Sequence, residues 1–173
     1  DMNLKLSEAA AMLGVPFAGA EATVLRVATD SRSIRPGDLF VALRGEKFDG
    51  GTFAAQALQQ GAVGVVLDRT QAPGLAQAIR VDDTRLALGR LAAAWRARFD
   101  LAVVAVTGSN GKTTVKEMLA AILRMETGSA DAVLATEGNL NNDIGLPLML
   151  LRLRPAHQFA VLVTQGQRQA VDL

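Results

Sequence analysis

The chain has 173 residues, half of them hydrophobic and 20% charged, with a formal net charge of +1. That is ample apolar material for the core of one large or two small domains, and too little net charge to suggest a nucleic-acid or acidic membrane partner. Cysteine is absent and His157 is the only histidine, which excludes disulfides, thiolate chemistry, a zinc site and a Ser-His-Asp triad and fits a reducing, cytoplasmic setting.

No apolar run reaches the length of a membrane span, and the start Asp1-Met2-Asn3-Leu4-Lys5 lacks the basic and apolar regions of a signal peptide. Residues 4 to 13 predict a short helix with Ser7 as its cap. Strands are expected at Val24–Thr29 and Leu39–Leu43, separated by the turn Arg35-Pro36-Gly37-Asp38. A helix follows over Phe53–Gln60, stopped by Gly61, then strands at Ala62–Leu67 and Ala78–Val81. Residues 1 to 82 therefore read as a small α/β domain.

A longer helix is expected from Thr84 to Phe99, capped by Asp83, with Leu86, Leu88, Leu91, Ala94 and Trp95 on its apolar side. Trp95 and Phe99 stand at helical spacing and are expected to pack there. Beyond it, strands at Leu101–Val106, Ala132–Thr136 and Phe159–Val163 alternate with helices at Thr113–Met125 and Ile144–Leu151. Alternation of this kind predicts a parallel sheet with helical crossovers. Val115, Met118, Leu119, Ile122 and Leu123 are expected to form the buried face of the first of these helices. His157 falls in a turn before the last strand, and Asp143 is expected to cap the helix after it.

The stretch Val103 to Thr114 carries the chemistry. A valine-rich strand runs into Thr107-Gly108-Ser109-Asn110-Gly111-Lys112-Thr113-Thr114 and then into a helix. Gly108 and Gly111 allow a tight turn and a close approach to an anion, whose charge is met by backbone N–H groups at the helix start. Lys112 suits the β- and γ-phosphates of a nucleotide, and the Thr113 hydroxyl suits Mg²⁺, which keeps phosphate oxygens and water as its other ligands. The first glycine of the longer P-loop pattern is replaced by Val106, leaving the shortened form Thr-Gly-x-Asn-Gly-Lys-Thr.

Three segments together resemble the Mur ligases of peptidoglycan precursor synthesis. They are Thr29-Asp30-Ser31-Arg32 with Pro36 to Gly45, the loop Thr107 to Thr114, and Glu137-Gly138-Asn139-Leu140-Asn141-Asn142-Asp143-Ile144-Gly145-Leu146-Pro147. The Asn-Leu-Asn-Asn-Asp-Ile-Gly run favours the branch whose incoming amine is D-alanyl-D-alanine. The resemblance implies a UDP-substrate-binding domain over 1–82 and part of a parallel-sheet, P-loop ATP-binding domain over 83–173. It implies ATP and Mg²⁺ as cofactors, and a reaction in which ATP phosphorylates the carboxylate of UDP-N-acetylmuramoyl-tripeptide and the amine then displaces phosphate from the acyl phosphate. Lys112 becomes the catalytic cation. Gly108, Ser109, Asn110, Gly111, Lys112, Thr113 and Thr114 form the nucleotide cradle, with Thr113 on the metal.

Thr29, Asp30, Ser31, Arg32, Gly45, Lys47, Phe48, Asp49, Asn139, Asn141 and Asn142 become substrate contacts. The small-molecule substrates are the implied partners, with no nucleic acid or membrane, and the chain is expected to be a monomer. Where the family places a magnesium-binding glutamate after the Phe159 strand, this chain reads Val163-Thr164-Gln165-Gly166-Gln167-Arg168-Gln169, with no carboxylate until Asp172. The expectation is a folded N-terminal portion of a ligase with a partial, weak nucleotide site and no ligation. A non-catalytic UDP-sugar-binding module and a ligase using a diamino acid as amine remain open alternatives.

Overall fold

The computed structural model describes residues 1–165; the expectation about the tail from Gly166 to Asp172 lies outside the described residues. The chain divides into two compact units, Asp1–Leu91 and Ala92–Leu173. The division falls inside a helix, whereas the sequence expectation places it at residue 82, just before that helix. Among the described residues no helix is long and apolar enough to cross a membrane.

The first unit opens with β1 (Leu4–Lys5), α1 (Leu6–Met12) and β2 (Thr23–Val24), β1 and β2 pairing antiparallel. The helix expected from residue 4 thus loses its first two residues to a strand, because Leu4 is buried opposite Val24. Lys5 occupies the cap position, its N–H donating to Glu8 Oε1 at 3.2 Å. Ser7, the expected cap, lies inside the first turn, and its N–H donates to Glu21 Oε1 at 3.1 Å.

Four parallel strands follow in the order β3 (Arg26–Ala28), β4 (Asp38–Val41), β5 (Gly64–Asp68), β6 (Ala78–Val81). The single strand expected over Val24–Thr29 breaks at Leu25, whose N–H donates to Gly37 O at 2.8 Å. Gly37 has φ +91, and a Cβ there would meet Leu25 Cδ1 at 2.6 Å, so this turn requires glycine. α2 (Ala54–Gln59), after a 3₁₀ turn at Gly50–Phe53, brings Ala54 and Ala57 onto Phe40, Val65 and Leu67. Small residues on the helix let it approach large ones on the sheet.

Asp38 is the buried charge of this unit. It accepts from Arg26 Nε at 2.8 Å, Arg26 Nη2 at 2.6 Å and the Arg35 N–H at 2.8 Å. Its side chain is 1% exposed, while that of Arg26 reaches 33%.

α3 (Thr84–Arg96) is capped by Asp83, whose Oδ1 accepts from the N–H groups of Arg85 at 2.9 Å and Leu86 at 3.1 Å. Leu86 is exposed, against expectation; the buried side consists of Ala87, Leu88, Leu91, Ala92 and Trp95. In the second unit Trp95 Nε1 donates to Leu153 O at 3.0 Å and its ring meets Phe99 edge-on at 5.2 Å.

The second unit contains β7 (Ala102–Val106), α4 (Lys112–Thr127), β8 (Val133–Ala135), α5 (Gly145–Leu150) and β9 (Phe159–Val163). Its strands are parallel in the order β7-β9-β8. The buried face of α4 differs from the sequence pattern. Val115, Met118 and Ile122 are 46%, 59% and 59% exposed, whereas Lys116 and Ala120 are buried and Leu119 and Leu123 pack on the Val106–Val133–Val161 core. Ala120 permits close approach to the sheet and the Lys116 stem fills the next turn, so the helix sits rotated from its most apolar stripe.

Gly145 sits where a Cβ would lie 2.4 Å from Leu140 Cα, which explains a glycine at the start of α5. Asn142 Oδ1 accepts from the N–H groups of Ile144 at 3.2 Å and Gly145 at 2.7 Å, and so performs the capping expected of Asp143. His157 is half-buried in its turn; Nδ1 accepts from the Arg154 N–H at 2.9 Å, and burial lowers its proton affinity.

Replacing Asp38 by Ala strips the Arg26 guanidinium and the Arg35 N–H of their acceptor together. Because Arg26 retains some access to water, the expected cost is about 2 kcal/mol rather than the full penalty of an isolated buried charge. Urea denaturation at pH 7 checks this.

Candidate functional site

At the carboxyl end of β7 the chain turns through Thr107, Gly108, Ser109, Asn110 and Gly111 into α4. Gly108 (φ +143) and Gly111 (φ +76) adopt backbone conformations that L side chains rarely reach, yet a Cβ placed on either would meet no heavy atom within 4 Å. Conformation, not crowding, is what demands glycine here. Every residue from 107 to 114 is exposed except Lys112, which is intermediate. The first N–H groups of a 16-residue helix have no intrahelical acceptor and point outward with the positive end of the helix dipole.

Lys112 Nζ donates to Thr164 O at 3.3 Å, just past the end of β9. This contact places the ammonium at the carboxyl edge of the sheet, where parallel α/β sheets take their ligands. The donor set fits a polyphosphate: backbone amides, one ammonium with a single long hydrogen bond, and the hydroxyls of Ser109, Thr113 and Thr114. Among the described residues no group of three or more His, Cys, Asp or Glu side chains is arranged to hold a metal.

The asparagine run reaches the same edge. Thr136, at the end of β8, is buried; its Oγ1 accepts from the Val163 N–H at 2.8 Å and its carbonyl accepts from Lys116 Nζ at 2.7 Å. Asn141 Oδ1 accepts from Gln165 Nε2 at 3.3 Å, so the run approaches the end of β9 on the opposite side from Lys112. Asn139 is exposed and Asn142 is committed to capping. Glu137 pairs with Arg152 at 2.8 Å.

In the first unit the expected substrate residues also lie beyond strand ends. Thr29 follows β3, and Asp30 starts a 3₁₀ turn over Ser31–Ser33 by accepting from the Arg32 N–H at 2.9 Å. The Arg32 guanidinium folds back on the same carboxylate at 2.9 Å. Asp30 and Arg32 thus pair with each other while their side chains stay 46% and 88% exposed, with Thr29 and Ser31 beside them. The second loop, after β4, is a tight turn: the Gly45 N–H donates to Phe48 O at 2.7 Å and Arg44 bridges to Asp49. It presents Lys47 and Phe48, which is 50% exposed and whose ring stacks on Phe53 at 5.8 Å. Asp49 is half-exposed; its Oδ1 accepts from the Gly51 N–H at 2.8 Å and its Oδ2 pairs with Arg44 Nη1 at 3.5 Å.

Three residues outside the sequence-derived set organise these loops. Arg44 Nε donates to Asp68 Oδ2 at 2.5 Å and its Nη2 to Thr70 Oγ1 at 2.7 Å. Together with Asp82, Asp83, Thr84 and Arg85, Arg44 and Asp68 line a polar cavity of about 220 Å³. Gln71, 2% exposed, joins the loop to the sheet. Lys116 is the buried ammonium of α4. The sequence marks none of the three, because an isolated Arg, Gln or Lys at a surface-like position carries no local pattern.

Two family models match the chain: the Mur ligase family catalytic domain over residues 23–96 and the Mur ligase middle domain over residues 106–165. The UDP-N-acetylmuramoyl-tripeptide–D-alanyl-D-alanine ligase of Escherichia coli (strain K12) is 48% identical over 168 residues, which is 97% of this chain and 36% of that protein. A crystal structure of MurF from Acinetobacter baumannii superposes with a TM-score of 0.80 at 39% identity, covering 92% of this chain and 35% of the other. The MurF ligase of Thermotoga maritima in complex with ADP matches at a TM-score of 0.72 and 35% identity, over 83% of this chain and 32% of the other. The chain spans about a third of the length of these relatives.

Arg44 holds the Asp68 carboxyl well below the usual carboxylate range, with Thr70 adding to the effect against the opposing pull of burial. A carboxylate that binds protons less readily in the folded chain stabilises most when both states are ionised, above an unfolded value of about 3.9. That stability is lost as the pH falls below this value. The expected result is a urea midpoint that drops between about pH 5 and pH 3, and a smaller drop in Arg44→Met.

Proposed function

The chain belongs to the Mur ligase family, and on that premise we propose that it forms the UDP-substrate-binding and ATP-phosphate-binding part of a MurF-type ligase of peptidoglycan precursor synthesis. The whole reaction joins D-alanyl-D-alanine to the carboxylate of UDP-N-acetylmuramoyl-tripeptide. The observation that carries the reading is the glycine loop opening α4 at the carboxyl end of β7, with Lys112 laid across to the end of β9. The ADP named in the Thermotoga maritima relative supports it.

In this reading the amides from Gly108 to Thr114 hold the triphosphate, Lys112 neutralises charge that builds between the β- and γ-phosphates, and Thr113 contributes to a magnesium site. The bound metal would supply further charge neutralisation on the phosphate oxygens. Transfer of the γ-phosphoryl group to the substrate carboxylate demands positioning and electrostatics more than proton transfer, so a loop of this kind suits it. The incoming amine then attacks the carbonyl carbon of the acyl phosphate, the C–N bond forms and inorganic phosphate leaves. Thr29, Ser31, Lys47 and Phe48 form the exposed part of the uridine site, with Asn139 and Asn141 on the peptide side of the phosphate loop. Residues 1–82 supply the uridine half and residues 83–173 the nucleotide half. A monomer working in the cytoplasm completes the proposal.

The exposure of residues 107–114 supports binding without ligation by this chain. A preorganised water-free site is needed to protect an acyl phosphate.

Separate calorimetric titrations with MgATP and UDP test the reading. Both ligands are expected to bind, and Lys112→Ala is expected to weaken MgATP by about tenfold or more while leaving UDP unchanged, the loss of a charge-assisted contact being worth at least about 1.4 kcal/mol. UDP binding without MgATP binding would instead support a non-catalytic uridine-nucleotide module. Incubation with MgATP, UDP-N-acetylmuramoyl-tripeptide and D-alanyl-D-alanine is expected to release no phosphate above background; release dependent on all three would overturn the inactivity.

A further inference from the structure

Gln71 is a buried primary amide whose hydrogen-bonding capacity is taken up by three different segments. Its Oε1 accepts from the Asp68 N–H at 2.9 Å at the end of β5, and its Nε2 donates to Ala42 O at 3.2 Å just past β4. The second Nε2 hydrogen goes to Asp49 Oδ1 at 2.6 Å, in the loop that presents Lys47 and Phe48. An acceptor and two donors on one planar group are required, and among side chains of this length only the primary amide supplies them.

The surrounding backbone is shaped around this side chain. Ala72, next in sequence, has φ +38, a conformation that costs a non-glycine residue energy. It is held there by Arg80, whose guanidinium donates to the carbonyls of Asp68, Gln71 and Ala72. On the other side, a Cβ on Gly51 would meet Gln71 Cβ at 2.7 Å and Cγ at 2.8 Å, so the chain after Asp49 lies directly on the glutamine stem. A strained turn, an arginine clamp and a glycine contact all serve to set one amide beneath one loop.

We propose that Gln71 is a positioning residue for the uridine-nucleotide site: by fixing Asp49 to the sheet it sets the 44–49 loop in its binding conformation without touching the ligand. The inference rests on the uridine reading of the first unit. It gives Asp49 Oδ1 an anchoring task, while Oδ2 pairs with Arg44 Nη1 at 3.5 Å. A Gln71→Glu change removes both donors and sets a second carboxylate against Asp49, which should release the loop. Adding Asp49→Asn removes the carboxylate–carboxylate repulsion, but because Asp49 Oδ1 serves both Gln71 and the Gly51 N–H, the new amide can satisfy only one of the two, and the rescue is partial.

The test is calorimetric titration of UDP into the unaltered chain, Q71E and the Q71E/D49N double variant, with thermal unfolding recorded for each. Expected are a loss of UDP affinity of about tenfold or more in Q71E and a partial recovery in the double variant, a rescue that a general packing defect would not produce. Equal UDP affinity in a folded Q71E, or a folded double variant that stays as weak as Q71E, overturns the positioning role alone. Absence of UDP binding by the unaltered chain overturns this role and the uridine reading together. Should Q71E not fold, amide exchange at Gly51 in the unaltered chain decides: slower exchange on adding UDP supports the anchoring, and unchanged exchange overturns it.

Discussion

Insertion of β9 between β7 and β8 is the constraint on which the second unit depends. Parallel pairing sets Val106 beside Val163 and Ala135 beside Val161, so three chain segments leave the sheet at one edge. Strand ends leave backbone groups without ladder partners, and here those groups are taken up locally: Thr164 N–H by Val106 O, Thr164 O by Lys112, and Val163 N–H by Thr136 Oγ1. The phosphate loop therefore does not hang from α4 alone. Its lysine and the first residue past β9 are tied, and the asparagine run meets Gln165 beside them.

The first unit uses the same geometry with different chemistry. Its four strands pair in chain order, and at their carboxyl ends the polar side chains spend most of their bonding on one another. Asp30 with Arg32, Arg44 with Asp68, and Gln71 with Asp49 are each closed locally. Groups that look available in the sequence are often already engaged in the fold, although the Arg32 side chain stays 88% exposed. Such prior pairing holds loops in shape before a ligand arrives and reduces the ordering cost of binding.

Much of this was legible in the residues. β6, the strand before the phosphate loop, the Asp83 cap and the alternation of the second unit follow from valine-rich runs, capping residues and helical spacing. The errors have a common origin. Residues 4 and 5 left the first helix because a distant strand offered Leu4 a buried partner. On α4, Leu119 and Leu123 pack on the core beside the buried Ala120 and Lys116, while Val115, Met118 and Ile122 lie on the exposed side. Asn142 displaced Asp143 as the cap because the tight contact of Gly145 with Leu140 brings the amide N–H groups to its side chain.

By itself the sequence determined the local vocabulary: which stretches are extended or helical, and which loop has the glycines, lysine and hydroxyls that a phosphate chain needs. Those are properties of neighbouring residues and of the torsions they permit. Tertiary structure alone decided which polar groups are tied to distant segments, and it alone brought Lys112 to Thr164 and Gln71 to Asp49. These pairings join residues 52 and 22 positions apart, and strand order, which no local pattern encodes, determines whether such residues meet.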